Sequence, residues 1–363
     1  MNILFSNASL MWAGNEKWTL RAAETLLARG HRVAIAVRDT RVWTPHLRSD
    51  LELIPLRFLN DADAKTVLNL RRIIKQRKVD VFLPTRSRDY WLGGWAQMGT
   101  RAIYVMRNGI TRDLQNTIKN RMRYGTFPDG IVVNAEAVRQ SLIRYPWVKP
   151  DRVRVIYNGV DDENNGRDES APAKNPNEFL IVAAGRVETD KGFDILIEAI
   201  AQASQEAPQL RGAIFGNGDQ IEPLTALIHA RGLDGKVRLG GFTRALHEKL
   251  ARADLAVSSS YREGVSNFIL EAWSAGTPVV ATSIPGSAEI VTDGARGRLV
   301  PPGDADKLAD AILEAVNYPD RRAAWAAAGK QAIAETFNWT HMAEELERFF
   351  GELIERKHHG RHP

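Results

Sequence analysis

The 363-residue sequence predicts two doubly wound α/β domains in tandem, on three observations. Short apolar strands alternate with amphipathic helices, a βαβ rhythm that demands a parallel sheet covered by helices. The rhythm breaks once and then restarts. The chain is also too long for one ordinary core, so two domains are the default division.

The elements follow in order. NILFS (2–6) reads as a strand and NEKWTLRAAETLLARG (15–30) as a helix closed by Gly30, with HRVAIAV (31–37) the next strand and His31 at the turn into it. VDVFLP (79–84), AIYVM (102–106) and GIVV (130–133) are further strands, the last followed by the helical AEAVRQSLIRY (135–145). Residues 158–178 are polar, rich in Asn, Asp and Pro and without period, which marks a linker. Strands then return at FLIVAAG (179–185), GAIFG (212–216), KVRLGG (236–241), DLAVSSS (254–260) and PVVAT (278–282), with helices expected over 190–205 and 266–275. Two final helices are expected at about 320–336 and 340–356, before a frayed tail, KHHGRHP, whose histidines lack the ordered frame a metal site needs. The expected division is 1–157, linker 158–178, 179–341, and a terminal helix and tail, 342–363, packing back on the first domain.

Composition narrows the function classes. An apolar fraction of 44% and a charged fraction of 26% suit a soluble globular protein. No apolar run approaches the roughly 18 residues needed to span a bilayer. The start, MNILFSNASLMWAGNEKW, has no basic region or small-residue cleavage site, so no signal peptide is expected and the expected location is the cytoplasm. The absence of cysteine excludes disulfides, thiolate zinc sites and cysteine nucleophiles. The net charge of +5 is uneven: residues 1–150 hold 25 Lys and Arg against 12 Asp and Glu (+13), and the remainder 24 against 32 (−8). Six of the nine tryptophans also lie in the first part. A basic first half suits an anionic partner as well as a solvated surface. Nothing resembles a nucleic-acid recognition motif, so no nucleic-acid partner is expected.

Ligands of doubly wound sheets bind at the carboxyl ends of strands, against glycine loops and helix N-termini. Four such exits stand out. At FLIVAAGRVETDKG, Gly185 ends a strand, Arg186 follows and Lys191-Gly192 lies just inside the next helix, placing two cations where a diphosphate would sit. At IFGNGDQ, Gly216 and Gly218 permit close backbone approach, though a tight turn before a helix capped by Asp219 is the better reading. At VRLGGFT, Gly241 and Phe242 suit either a flat base edge or a simple turn. At SSSYREGVSNFILEAW, Glu263 precedes a helix starting near Ser266. The first amides of that helix point toward any anion, and Glu271, two turns in, suits a diol.

Taken together, GR…KG, Glu263-x7-Glu271, AGTPVVAT and PGSAEIV resemble the retaining glycosyltransferases of family 4 (group 1), with NGVD (158–161) as the opening signature. The resemblance covers 158–341 and reaches more weakly into 1–150 through MNILF…WAGNEK and RGHRV. It implies the GT-B fold: two Rossmann-like doubly wound parallel-sheet domains in tandem with a deep inter-domain cleft. It implies that Arg186 and Lys191 clamp the donor diphosphate, that Glu271 holds the ribose, and that Glu263 holds the donor sugar. Backbone amides of Gly264, Val265, Ser266, Asn267 and Phe268 complete the cradle, Gly185 shapes the strand mouth, and Gly241 and Phe242 lie near the base. Gly14 matches a glycine that approaches the diphosphate from the first domain.

One departure stands out. Many members carry a histidine at the end of a strand in the first domain, facing the donor sugar. Here that strand ends IYVMRNG, with Arg107 and Asn108 in its place as the sugar- or acceptor-facing candidates. Metal dependence is addressed by DAD at 61–63 and 304–306, which precede helical stretches and read better as N-caps than as cation ligands. With Arg186 and Lys191 supplying positive charge, no metal or other cofactor is expected. The implied partners are a UDP-, GDP- or ADP-sugar and a glycan or glycolipid acceptor of the cell envelope, such as lipopolysaccharide core or exopolysaccharide. The basic clusters RRIIKQRK (71–78) and KNRMR (119–123) would rest on an anionic membrane or a phosphorylated glycan. A nucleotide-sugar epimerase or hydrolase of the same shape, and a non-catalytic nucleotide-sugar-binding protein, are the alternatives.

Overall fold

The computed structural model describes residues 1–161, 175 and 177–359, so most of the expected linker 158–178 and most of the terminal tail lie outside the described residues. The chain forms two compact units, one made of residues 1–158 with 339–363 and the other of residues 159–338.

In the first unit the strands are β1 (Asn2–Asn7), β2 (Arg32–Val37), β3 (Glu52–Pro55), β4 (Val81–Pro84), β5 (Ile103–Asn108), β6 (Gly130–Val133) and β7 (Val153–Val155). They form one sheet in the order β3-β2-β1-β4-β5-β6-β7, every neighbouring pair parallel. The chain thus runs outward from β1 in one direction, then returns beside β1 as β4 and runs outward in the other. Helices α1 (Gly14–Ala28), α2 (Ala64–Gln76), α3 (Ser87–Gln97), α4 (Ile118–Arg121) and α5 (Glu136–Ile143) connect them. α1 buries Trp18, Ala22, Ala23 and Leu26 and ends before Gly30, whose φ of +90° only glycine adopts readily. β3 and β7 were not foreseen, because ELIP and VRV are too short for an alternation to register.

The C-terminal helix, Trp339–His359, belongs to this unit. Met342, Ala343, Leu346, Phe349, Phe350 and Leu353 recur at helical spacing and join Ile3, Phe5, Ile103 and Val105 in one core. Arg29 adds a forked contact to Glu347 (2.8 and 2.9 Å), and His31 reaches the same carboxylate at 2.8 Å from the turn before β2.

The second unit holds β8 (Phe179–Ala184), β9 (Leu210–Phe215), β10 (Val237–Gly241), β11 (Leu255–Ser258), β12 (Val279–Thr282) and β13 (Arg298–Val300), in the parallel order β10-β9-β8-β11-β12-β13. Its helices are α6 (Phe193–Glu206), α7 (Ile221–Ala230), α8 (Leu246–Ala251), α9 (Asn267–Ser274), α10 (Pro285–Ile290), α11 (Ala305–Asn317) and α12 (Pro319–Glu335). β13 escaped the sequence for the same reason as β3. Both DAD segments cap helices: Asp63 accepts from the amide of Thr66 at 3.0 Å, and Asp304 from that of Lys307 at 2.9 Å.

Two local expectations need correction. Lys191 is not inside a helix: Thr189–Lys191 form a 3-10 turn, and α6 starts only after Gly192. Asp219 does not cap α7. Gln220 occupies that position, its amide bonded to the carbonyl of Val187 at 3.0 Å. Gly216 and Gly218 admit protein rather than ligand, since a Cβ on either would lie 1.8 Å from the Gly185 carbonyl oxygen or 2.1 Å from that of Val187. They clamp the Gly185–Val187 loop to the end of β9.

Candidate active site

In the second unit the loops leaving β8 and β11 are joined by backbone. Tyr261 N–H donates to the Asp190 carbonyl at 2.9 Å, and Ser259 Oγ to that of Lys191 at 2.9 Å. Gly192 makes this approach possible. Its φ is +61°, and a Cβ there would sit 2.3 Å from the Ser259 carbonyl oxygen. Thr282, at the end of β12, donates to the Ser260 carbonyl at 2.5 Å, so three adjacent strand ends fix one loop cluster.

On this frame Lys191 Nζ forms an ion pair with Glu263 Oε1, each side chain 16% exposed. Ser260 Oγ donates to the same carboxylate oxygen at 3.2 Å. The Lys191 stem passes over Gly185, where a Cβ would meet Cε at 3.3 Å. Arg186 is 68% exposed and pairs with Glu188 at 2.6 Å, with Asp190 further off at 4.0 Å. Burial holds the Lys191 ammonium below its ordinary range; Asp190 and Glu188 oppose that shift and Arg186 adds to it. A partly dehydrated ammonium beside a guanidinium gains from any anion brought to it.

α9 begins at Asn267 with Ser266 as its N-cap, and Ser266 uses no side-chain bond there. Val265, Ser266 and Phe268 are buried, Gly264 is half-buried and Asn267 is exposed. Glu271 is half-buried and lies one turn into α9, not two. Gly241 ends β10 with its carbonyl accepting from the Gly216 amide at 2.8 Å, and Phe242 beyond it is largely exposed. The second unit thus gathers Gly185, Arg186, Lys191, Glu263 and the start of α9 at the carboxyl ends of β8 and β11, the two strands from which its sheet winds in opposite directions.

In the first unit Gly14 is the exposed first residue of α1 rather than part of the preceding loop. Asn15 beside it donates to the Thr85 carbonyl (2.9 Å) and accepts from Arg107 Nη1 (2.6 Å). The structure places both replacements for the expected histidine inside the unit. Arg107 lies 4.4 Å over the Trp18 ring, and its Nη2 donates to Asn158 at 3.2 Å. Burial pushes its guanidinium down to about 10, with Tyr90 and Glu16 opposing. Asn108 is fully buried, donating to the Ile110 carbonyl and accepting from Arg112 Nε, both at 2.9 Å. These two residues brace the end of β5.

Sequence reading missed a polar network at the ends of β1 and β4: Asn7, Ser9, Glu16, Thr85, Arg86 and Asp89. Glu16, in the first turn of α1, is fully buried and holds Arg86 Nη2 at 2.6 Å. Only the pairing of β1 with β4 brings the two together. The one available signal was the cluster of small polar residues after each apolar strand.

Two parallel, doubly wound sheets, the second with cations and carboxylates at its switch point, define a class of α/β protein with a ligand site at its strand ends. The family model described as Glycosyltransferase Family 4 matches residues 12–164, and that described as Glycosyl transferases group 1 matches 165–332. The chain belongs to the family 4, group 1 glycosyltransferases and has the GT-B fold class. It is 27% identical over 326 residues to the lipopolysaccharide core biosynthesis glycosyltransferase LpsE of Rhizobium meliloti, covering 90% of this chain and 92% of that protein. It is 31% identical over 244 residues to a D-inositol 3-phosphate glycosyltransferase of Nocardioides, covering 60% of this chain and 52% of that one. Among solved structures it resembles Anabaena HepE in complex with UDP, with a TM-score of 0.84, 21% identity and 97% and 100% of the two chains covered. The lipopolysaccharide outer core galactosyltransferase WaaB gives a TM-score of 0.72 at 16% identity, covering 98% and 100%.

Among the described residues no group of three or more His, Asp or Glu side chains is placed to hold a metal ion. No helix among them is long and apolar enough to cross a membrane.

Proposed function

We propose that the enzyme is a retaining, metal-independent hexosyltransferase that moves a sugar from a nucleoside-diphosphate sugar to a hydroxyl of a glycan or glycolipid acceptor. The observation that carries this reading is the Lys191–Glu263 pair between the ends of β8 and β11, with Arg186 exposed beside it. A donor diphosphate entering there takes Lys191 and Arg186 as its cations and releases Glu263 to accept hydrogen bonds from the sugar. Glu271 holds the ribose, the amides of residues 264–268 the phosphates, and Phe242 the base.

Retention follows if the acceptor oxygen attacks on the face the diphosphate leaves. The bond from the anomeric carbon to the diphosphate oxygen breaks, the bond to the acceptor oxygen forms, and the acceptor proton passes to the departing phosphate oxygen. Catalysis is then positioning and stabilisation of leaving-group charge.

The acceptor is read as part of lipopolysaccharide core or exopolysaccharide, supported by the likeness to LpsE along most of both chains. HepE has been solved with UDP and UDP-glucose, which makes UDP-sugars the first donors to try, ahead of GDP- and ADP-sugars. We place peripheral contact with the inner face of the cytoplasmic membrane on the basic stretches 71–78 and 119–123, next to Ile118, which is 79% exposed. A thermal-shift screen of the three donor classes tests the donor site, since a ligand stabilises according to its saturation. The product's anomeric configuration by NMR tests retention. No stabilisation by any of the three, or an inverted product, overturns the reading.

A further inference from the structure

Ligands of doubly wound sheets gather where neighbouring strands send their connections to opposite faces. In the first unit that place is between β1 and β4, paired from Ile3 opposite Val81 to Ser6 opposite Pro84. Arg86 stands at its mouth. Its Nε and Nη2 donate to Glu16 Oε1 at 2.9 and 2.6 Å, and Nη2 also to Ser9 Oγ at 2.9 Å. Asn7, itself bonded to Thr85, donates to Glu16 Oε1 as well, at 3.0 Å.

This pair is anchored but incomplete. Three hydrogen bonds converge on Glu16 Oε1, while Oε2 is buried and has no partner among the described residues. The Arg86 side chain is 39% exposed, and its Nη1 has no hydrogen-bond partner among them. A pin between α1 and β4 needs neither an orphan acceptor nor an exposed donor. Ser9 continues the network to the carbonyl of Met11 at 2.7 Å, where Leu10 and Met11 lie exposed. α3 begins directly after Arg86 with no side-chain cap, adding its first amides to the same mouth.

An outward guanidinium edge recognises a carboxylate or phosphate, and exposed apolar side chains suit a sugar's C–H face. We propose that Arg86, positioned by Glu16 and Ser9, reads an anionic group on the acceptor, so that the first unit takes an acidic sugar rather than a neutral one. The proposal rests on the functional reading above only in assigning the acceptor to the first unit.

The test is titration of the whole chain, followed by saturation-transfer NMR, with galacturonate and glucose 6-phosphate as probes and galactose and glucose as neutral controls. At least one acidic sugar is expected to bind about tenfold or more tightly than its neutral counterpart, and to lose that advantage in Arg86→Ala. Because Arg86→Ala strands a buried carboxylate, the double variant Glu16→Gln with Arg86→Gln removes both charges while keeping a polar side chain at each position, and is expected to show the same loss. A response to one probe alone identifies carboxylate or phosphate as the group read. Lys191→Ala, at the other unit's site, is expected to retain acidic-sugar binding. The proposal is overturned by equal binding of acidic and neutral sugars, by binding of none, by a double variant that binds as the natural sequence does, or by loss in Lys191→Ala. Arg86-dependent binding in a chain that transfers no sugar would instead overturn the functional reading.

Discussion

Lys191 and Glu263, separated along the chain by α6, three further strands and two further helices, form an ion pair because Gly192 lets the 3-10 turn after β8 lie against the carbonyl of Ser259. The pair neutralises an ammonium that a diphosphate would otherwise neutralise, so each ligand of the site competes for a partner already present.

Removing the ammonium tests the donor clamp. We expect Lys191→Ala to lower kcat/KM by about 10²-fold or more, the usual scale for one charge-stabilising donor. Far-ultraviolet circular dichroism should match that of the parent chain. Near-normal turnover by the folded variant would remove Lys191 from the mechanism.

Glu271 carries a different signature. It lies half-buried one turn into α9, and Glu271→Ala should act on donor binding. The donor KM is expected to rise about tenfold or more, as when a hydrogen-bonded hydroxyl loses its partner. An unchanged KM with a collapsed kcat would contradict its role as the ribose ligand.

Gly192→Ala places a Cβ 2.3 Å from the Ser259 carbonyl oxygen at a φ of +61°. The strain should cost about 1–3 kcal/mol and separate the β8 and β11 loops. Both the unfolding midpoint and transfer should fall, whereas Gly276→Ala, with nothing within 4 Å of its Cβ, should affect stability through its φ of +75° and leave transfer alone. Equal loss of transfer in both variants would show that the loop contact is not what matters.

Asp89 gives the first unit a pH dependence. Burial raises its carboxyl to about 7, against the Ala8 amide, Arg86 and Arg88, with Glu16 adding to the rise. Between about pH 4 and 7 the native state therefore keeps a proton that the unfolded chain has released, and stability from this group falls as pH rises through that window. Asp89→Asn should abolish this loss, gaining on the parent chain by about 3 kcal/mol between pH 5 and pH 8. Parallel midpoint curves for the two proteins across that range would show that Asp89 does not titrate there.

Metal independence is open to direct measurement. We expect purified enzyme to keep full transfer activity in EDTA, the charge of the departing diphosphate being met by Arg186 and Lys191. Activity lost in EDTA and restored only by a divalent cation would reverse that expectation.

The sequence by itself determined the two doubly wound sheets and singled out most of the residues that the second unit gathers at the ends of β8 and β11. Apolar runs such as FLIVAA and VVAT are long enough to declare buried strands, and glycines, cations and carboxylates sit within a few residues of their ends. Local chemistry also fixed the caps at Asp63 and Asp304. The tertiary structure alone decided what depends on strands meeting out of order. That Lys191 pairs with Glu263 follows from β8 lying beside β11, and that Glu16 is a buried anchor for Arg86 follows from β1 lying beside β4. It also turned Arg107 and Asn108 inward: Asn15 and Trp18 of α1 and the distant Asn158 converge on Arg107, while Ile110 and Arg112 hold Asn108. Periodicity reports which face of an element is buried, and carries no information on which partner buries it.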